Sequence, residues 1–341
     1  MSDRVLLTGI SGFLGGHVAL ALLKAGYTVR GSVRDLAKAD KVKNTLARAG
    51  GDIDRLEFVV LDLMDDDGWT EAMKGVRYLQ HTASPFVLSM PDDRNDLIRP
   101  AVEGTERALN AALAADVERI VLTSSMAAIA YGHPRNRSEI FTEHDWTQLD
   151  SGRPVNAYVE SKTRAERHAW ELVRKIGREK DLATINPGAI LGPLLDDDPG
   201  TSATIVRRLL DKSVPAIPNL TFTIVDVRDV AEAHLLAMME SEAGGRRFPM
   251  GSRTMAYRDI ADVLRERFPV HARNISRINM PDWAVRLYAL FDRDVRSNLG
   301  ELGNFKQLDS APTEALLRRK LIDADDAIAA TAQSLFDEGI I

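Results

Sequence analysis

Near the start of the chain a short apolar run, Val5-Leu6-Leu7, ends in Thr8-Gly9-Ile10-Ser11-Gly12-Phe13-Leu14-Gly15-Gly16. Apolar residues then resume at helical spacing through Val18, Leu20, Leu22 and Leu23. This order predicts a strand, a glycine loop and a helix. Glycines let the backbone turn sharply and bring its N–H groups against an anion, and the helix N-terminus adds partial positive charge. A dinucleotide pyrophosphate suits such a loop. The competing explanation is a turn that merely contains glycines, and the placement between strand and helix argues against it. The spacing is G-x-x-G-x-x-G, a departure from the G-x-G-x-x-G of the usual fingerprint.

The bulk properties narrow the partners. With 341 residues, 45% of them hydrophobic, the chain can bury a full core and is long enough for two domains, or one large domain with an appendage. A net charge of −6 and a pI near 5.7 disfavour nucleic acid. The absence of cysteine excludes disulfides, thiolate catalysis and cysteine zinc sites. The seven histidines form no H-E-x-x-H, so no metal is expected. No apolar run reaches the ~18 residues of a membrane span. Asp3-Arg4 leads straight into a strand without a signal-peptide core, so a soluble cytoplasmic protein is expected.

In chain order, the first helix should stop at Ala25-Gly26. Strands are expected at Tyr27–Val33, Leu56–Leu61, Val76–Gln80, Val117–Leu122 and Leu182–Ile185, with long helices at Leu97–Ala115 and Asn156–Ile176. This alternation predicts an α/β, Rossmann-type, doubly wound parallel sheet. After about residue 190, Pro193, Pro199, Pro215, Pro218 and the run Asp196-Asp197-Asp198 break the pattern. The expected division is a dinucleotide-binding domain at residues 1–190 and a smaller, mostly helical substrate lobe at 191–220 and 243–341. Residues 221–242, with Phe222–Val225 and a helix at Val227–Met239, should return to the main sheet. The amphipathic stretch Ala284–Phe291 reads as core rather than partner surface.

The end of the second strand chooses the cofactor. A carboxylate there binds the ribose 2′-hydroxyl of NAD, and an arginine accommodates the 2′-phosphate of NADP. The stretch is Val33-Arg34-Asp35, with Lys41 further on. A divalent phosphate gains more from two cations than a neutral hydroxyl gains from Asp35, so Arg34 carries more weight. Asp62, ending the third strand, can accept from an adenine amine or cap the turn that follows. His81-Thr82-Ala83-Ser84-Pro85-Phe86 ends the fourth strand in small residues that admit a flat ring.

The chemistry centres on Tyr158 and Lys162, four apart on one helix face. A phenol with a pKa of about 10 hardly exchanges protons at neutral pH, and lowering it by ~2.5 units takes about 3.4 kcal/mol. A cation ~5 Å away at an effective dielectric of ~20 supplies about 3.3 kcal/mol. Alone, Tyr-x-x-x-Lys is a common surface pair. Here Ser125 ends the fifth strand in Thr123-Ser124-Ser125, where it can hydrogen-bond a substrate carbonyl and the tyrosine together, or simply cap the next turn.

With these residues in place the sequence resembles an extended short-chain dehydrogenase/reductase. It is most similar to the branch of dihydroflavonol reductases, cinnamoyl-CoA reductases and related aldehyde or ketone reductases. The resemblance rests on Thr8–Gly15, Val29–Asp35, Thr82-Ala83-Ser84-Pro85, Thr123-Ser124-Ser125, Tyr158–Lys162, Asn186-Pro187 and Val227–Ala231, and it accounts for the unusual glycine spacing. It implies that Tyr158 gives its proton to the carbonyl oxygen and Ser125 steadies that oxygen. Lys162 then lowers the tyrosine and holds the nicotinamide ribose. NADP(H) would lie along Gly9, Ser11, Gly12, Phe13 and Leu14, with Arg34 and Lys41 at the 2′-phosphate. Asp62 and Leu63 would sit at the adenine, with Thr82, Ala83, Ser84 and Thr123 along the cofactor and Pro187, Ile190 and Ser202 at the nicotinamide. In many relatives an asparagine follows the Gly-Thr of the central helix and supports the lysine through water. Here Gly104-Thr105 is followed by Glu106-Arg107, which leaves that relay without its usual side chain.

The expectation is an NADP(H)-dependent reductase of an aldehyde or ketone, acting as monomer or homodimer. Phe86, Met126 and Tyr131 would line a pocket for an apolar or aromatic carbonyl substrate. The alternatives are an NAD-dependent nucleotide-sugar epimerase or dehydratase, which keeps its cofactor through turnover, and a non-catalytic NADP sensor, which would have little use for both Tyr158 and Lys162.

Overall fold

The computed structural model describes residues 3–84, 91–135, 137–291, 295–296 and 298–341. Six strands come first: β1 (Arg4–Thr8), β2 (Thr28–Val33), β3 (Leu56–Val60), β4 (Tyr78–His81), β5 (Arg119–Thr123) and β6 (Leu182–Pro187). Three short strands follow, β7 (Ala189–Leu191), β8 (Ile217–Pro218) and β9 (Thr221–Asp226), and β10 (Arg247–Met250) then pairs with β6. The large sheet has the order β10-β6-β5-β4-β1-β2-β3, every pair parallel. A parallel sheet is covered on both faces, so its strands are apolar at consecutive positions. In β1 alternation sends Val5 and Leu7 to one core and Leu6 to the other.

One face is covered by α1 (Phe13–Lys24), α2 (Ala39–Arg48) and a later helix. The other carries the short α3 (Trp69–Ala72), then α4 (Asn95–Ala114) and α5 (Ala157–Lys175). After α6 (Thr204–Leu210), α7 (Val227–Met239) completes the first face, packed on α1 through Val230 and Ala233. This is the Rossmann-type, doubly wound arrangement, and its strand order reverses direction between β1 and β4.

Two expectations change. Phe222–Val225 does not join the large sheet. It lies in β9, between β7 and β11 (Arg253–Ala256), in a separate three-stranded sheet. The edge beside β6 is taken by β10, whose residues the sequence pattern places in the lobe. At Gly188 the chain turns out of β6 into β7, so close to β9 that a Cβ there would stand 2.2 Å from the Thr223 carbonyl oxygen. α7 does return to the sheet. The lobe has its own core, built from α6, α8 (Tyr257–Arg267) and the helix Ala324–Asp337, while β8 pairs with β12 (Asn279–Met280).

The second change concerns Ala284–Phe291. Only Val285 and Ala289 are buried from α9 (Asp282–Tyr288) and the turn after it, whereas Trp283 is 69% and Phe291 85% exposed. One residue per turn packs inward, a stripe too narrow for a core helix.

Candidate functional site

The C-terminal edge of the large sheet gathers most of the sequence-predicted residues. Gly9 follows β1 with φ +75°, a conformation glycine adopts without strain. A Cβ at Gly9 would stand 2.9 Å from the Ala83 backbone nitrogen, and one at Gly15 would lie 2.0 Å from the Gly9 carbonyl oxygen. The loop therefore folds tightly on itself and against the end of β4. Thr8 braces this seam: its hydroxyl shares a 2.8 Å hydrogen bond with His81 Nδ1 and accepts from the Ala83 N–H at 3.2 Å. Thr82 in turn donates to the Thr8 carbonyl at 2.7 Å.

The loop fits a pyrophosphate. Gly12 caps α1 without any side-chain hydrogen bond, and the first turn holds no carboxylate. Neither a side-chain cap nor a first-turn carboxylate therefore offsets the partial positive charge at this end, where Ser11 and Gly12 are exposed. Half-buried Leu14 packs against the core of the large sheet and half-buried Phe13 against the core of the lobe.

At the adenine end the predicted residues differ in state. Arg34 is exposed beyond β2 and makes no ion pair among the described residues. Asp35 accepts from the Ala37 N–H at 2.9 Å, as a turn cap. Lys41 is paired with Asp197 and, at 3.5 Å, with Asp196, so its charge is already compensated. Asp62 accepts from the Met64 N–H at 2.8 Å, and Leu63 packs against Gly104.

At the other end stand Ser125, Tyr158 and Lys162. The Asn156 side chain caps α5, accepting from the Val159 N–H at 2.9 Å, which sets Tyr158 in the first turn. Ser125 lies two residues beyond β5 and caps the next turn, accepting from the Ala127 N–H at 3.1 Å. The turn-capping reading of Ser125 is seen directly, and its hydroxyl also lies close enough to the Tyr158 phenol to lower its titration. The phenol does not behave as the charge arithmetic expected. Burial raises it above the ordinary tyrosine value, partly offset by Ser125, and Lys162 is not among the groups acting on it. Crowding of the phenol by the surrounding protein outweighs the help from Ser125, although 38% of the Tyr158 surface stays open to the cleft. Lys162 is pushed down to about 8 by burial, and Glu166 pulls it back up.

Other predicted residues take different positions. Thr123 commits its hydroxyl to His234 Nε2 at 2.9 Å, and His234 is held through Nδ1 by Gln80 at 2.7 Å. Pro187 ends β6 buried, Ile190 lies half-buried in β7 and Ser202 just ahead of α6. Met126 and Tyr131 pack beside Ile129 and Phe141. Tyr131 stands close enough to Tyr158 to feel its charge, and it lines a chamber of about 250 Å³ shared with Lys306 and Phe305. Phe86 lies outside the described residues. Glu106 and Arg107 are paired with His168, at 3.2 Å, and with Asp66 respectively.

Sequence reasoning missed Glu166, buried one turn beyond Lys162, and its partner Arg247. The four-residue spacing Tyr158, Lys162, Glu166 was a usable signal. Nothing near Arg247 in sequence announces its partner.

A doubly wound sheet with a glycine loop at its switch point and a Ser–Tyr–Lys group on the same edge defines a dinucleotide-binding α/β protein of the extended short-chain type. Residues 5–251 match the NAD dependent epimerase/dehydratase family, and the chain belongs to it. It is 37% identical over 272 residues to cinnamoyl-CoA reductase CAD2 of Medicago truncatula, covering 79% of this chain and 82% of that one. It is 35% identical over 293 residues to the NADPH-dependent methylglyoxal reductase GRE2 of Saccharomyces cerevisiae, covering 80% and 84%. The structure of yeast methylglyoxal/isovaleraldehyde reductase Gre2 complexed with NADPH superposes with a TM-score of 0.80 at 30% identity, over 99% of this chain and 100% of that one.

Proposed function

We propose that this protein is an NADPH-dependent carbonyl reductase that turns an aldehyde or ketone into an alcohol. The observation that carries this reading is the nearness of Ser125 to the Tyr158 phenol, one helical turn from Lys162, on the sheet edge that also carries the glycine loop. When bound, NADPH supplies the hydride. The protein's own part is to hold the carbonyl oxygen on the Ser125 hydroxyl and deliver to it the Tyr158 proton, so that the carbon gains hydride and the oxygen gains H⁺. Lys162 offers its ammonium to the phenolate that results and to the ribose.

Gly9, Ser11 and Gly12 would hold the pyrophosphate with the backbone of Phe13 and Leu14, and Arg34 would meet the 2′-phosphate. Thr82, Ala83, Ser84, Pro187 and Ile190 would flank the rest of the cofactor. Tyr131 and the chamber beside it favour an apolar or aromatic carbonyl compound. The two reductases above, named for cinnamoyl-CoA and methylglyoxal, agree with a carbonyl substrate.

The test follows nicotinamide absorbance while purified protein meets a panel of aldehydes and ketones, methylglyoxal included, with NADPH and NADH in parallel. NADPH consumption that depends on the carbonyl compound is expected. Tightly bound NAD in the purified protein, with no net consumption of either reductant, would instead indicate an epimerase or dehydratase.

A further inference from the structure

Glu166 is a carboxylate without exposed surface, and such a group stays charged only where donors surround it. Arg247 donates through Nε at 2.6 Å and Nη2 at 3.3 Å, Asn186 Nδ2 at 2.7 Å, Thr184 Oγ1 at 3.1 Å, Trp170 Nε1 at 3.2 Å, and Ser124 through its hydroxyl. These donors hold its carboxyl below the usual range despite burial. Tying β10 to β6 and α5 explains the pairing with Arg247. It does not explain why the same carboxylate holds Ser124, which precedes Ser125, or why Asn186 also reaches the Ser125 carbonyl at 3.4 Å. Nor does it explain why Glu166 faces Lys162 across a cavity of about 10 Å³, room for about one water.

The other groups around Lys162 offer it no negative charge. From β4 comes His81, whose burial pushes it down to about 3 and keeps it neutral. From α4 come Ala101 and Thr105, and from β5 and the residue after it Thr123 and Ser124. On α5 itself, Tyr158 is held un-ionised by burial. From β10, Arg247 is bound to Glu166.

We propose that Glu166, fixed by Arg247, is a positioning residue that serves as the counter-charge of Lys162 and sets the turn presenting Ser125. This rests on the reductase reading for Lys162's role, but not for its titration. A negative charge favours the protonated amine, so its removal moves Lys162 to lower pH.

The direct test is NMR titration of protein labelled with ¹³C at the lysine ε-carbon, with the Lys162 signal assigned by its loss in Lys162→Arg. In Glu166→Gln the Lys162 titration should fall by about one pH unit or more. The alkaline limb of kcat for carbonyl reduction should move down with it. In Glu166→Asp, which keeps the charge, Lys162 should titrate close to its original value even though the Ser124 bond is lost. An unmoved Lys162 in Glu166→Gln, or a loss of activity uniform across pH, overturns the proposal. If Glu166→Gln does not fold, Glu166→Asp decides: a Lys162 signal near its original position supports the counter-charge, and a full-unit fall refutes it. Absence of any carbonyl turnover in the unaltered protein would count against the reductase reading alone, since the NMR titration needs no substrate.

Discussion

Arg34 and Lys41 occupy the same rim of the cleft in different electrostatic states. Arg34 is exposed, and Lys41 already has Asp196 and Asp197 as partners. A bidentate arginine–phosphate contact is charge-assisted on both sides and worth about 1.5–3 kcal/mol. Arg34→Ala should therefore raise the KM for NADPH roughly 10- to 100-fold, leave the KM for NADH nearly unchanged, and keep kcat. The same loss with both cofactors would mean that Arg34 acts on the fold rather than on the 2′-phosphate. Lys41→Ala should cost less, because the phosphate competes for a cation already neutralised. At this scale the sequence showed which residues gather, since Ser125, Tyr158 and Lys162 lie where strand ends and helical spacing put them. It did not show the direction in which the phenol shifts. Desolvation depends on what the whole fold lays around the hydroxyl, and no local spacing encodes that.

Among the elements, the strand–loop–helix unit at the start of the chain was the most legible, because glycine spacing and apolar periodicity agree there. Its tightness makes a sharp prediction. A Cβ on Gly15 would stand 2.0 Å from the Gly9 carbonyl oxygen, backbone against backbone, so the loop must open to accept it. Gly15→Ala should destabilise the protein by about 1–3 kcal/mol, the usual cost of overpacking a tight contact. It should also weaken NADPH binding, and a denaturant titration beside a cofactor titration checks both. Unchanged stability and affinity would mean that the loop is looser than described. β9 and β10 were the elements misplaced. Both follow a break in the pattern, and which one takes the edge of the sheet is tied to Arg247 reaching Glu166 across 81 residues of chain and to the exit at Gly188. α9 was misjudged because an apolar stripe has the same sequence signature whether or not a neighbour covers it.

In the molecule as a whole, a sheet with one open C-terminal edge is joined by a lobe with a separate core. Glycine loop, cation rim and Ser–Tyr–Lys group all face that edge, which is where doubly wound sheets bind their ligands. The sheet order was readable because alternating strands and helices admit few topologies. The lobe was less so, since proline-rich and acidic stretches report where regular structure stops but not what replaces it. The central claim is that the Tyr158 hydroxyl delivers the proton while the rest of the cleft holds the cofactor. The most direct test compares Tyr158→Phe with the unaltered protein, by NADPH binding and by NADPH-dependent carbonyl reduction. The variant should bind NADPH with similar affinity and lose roughly 10²- to 10⁴-fold in kcat, whereas turnover near the original rate would contradict the account.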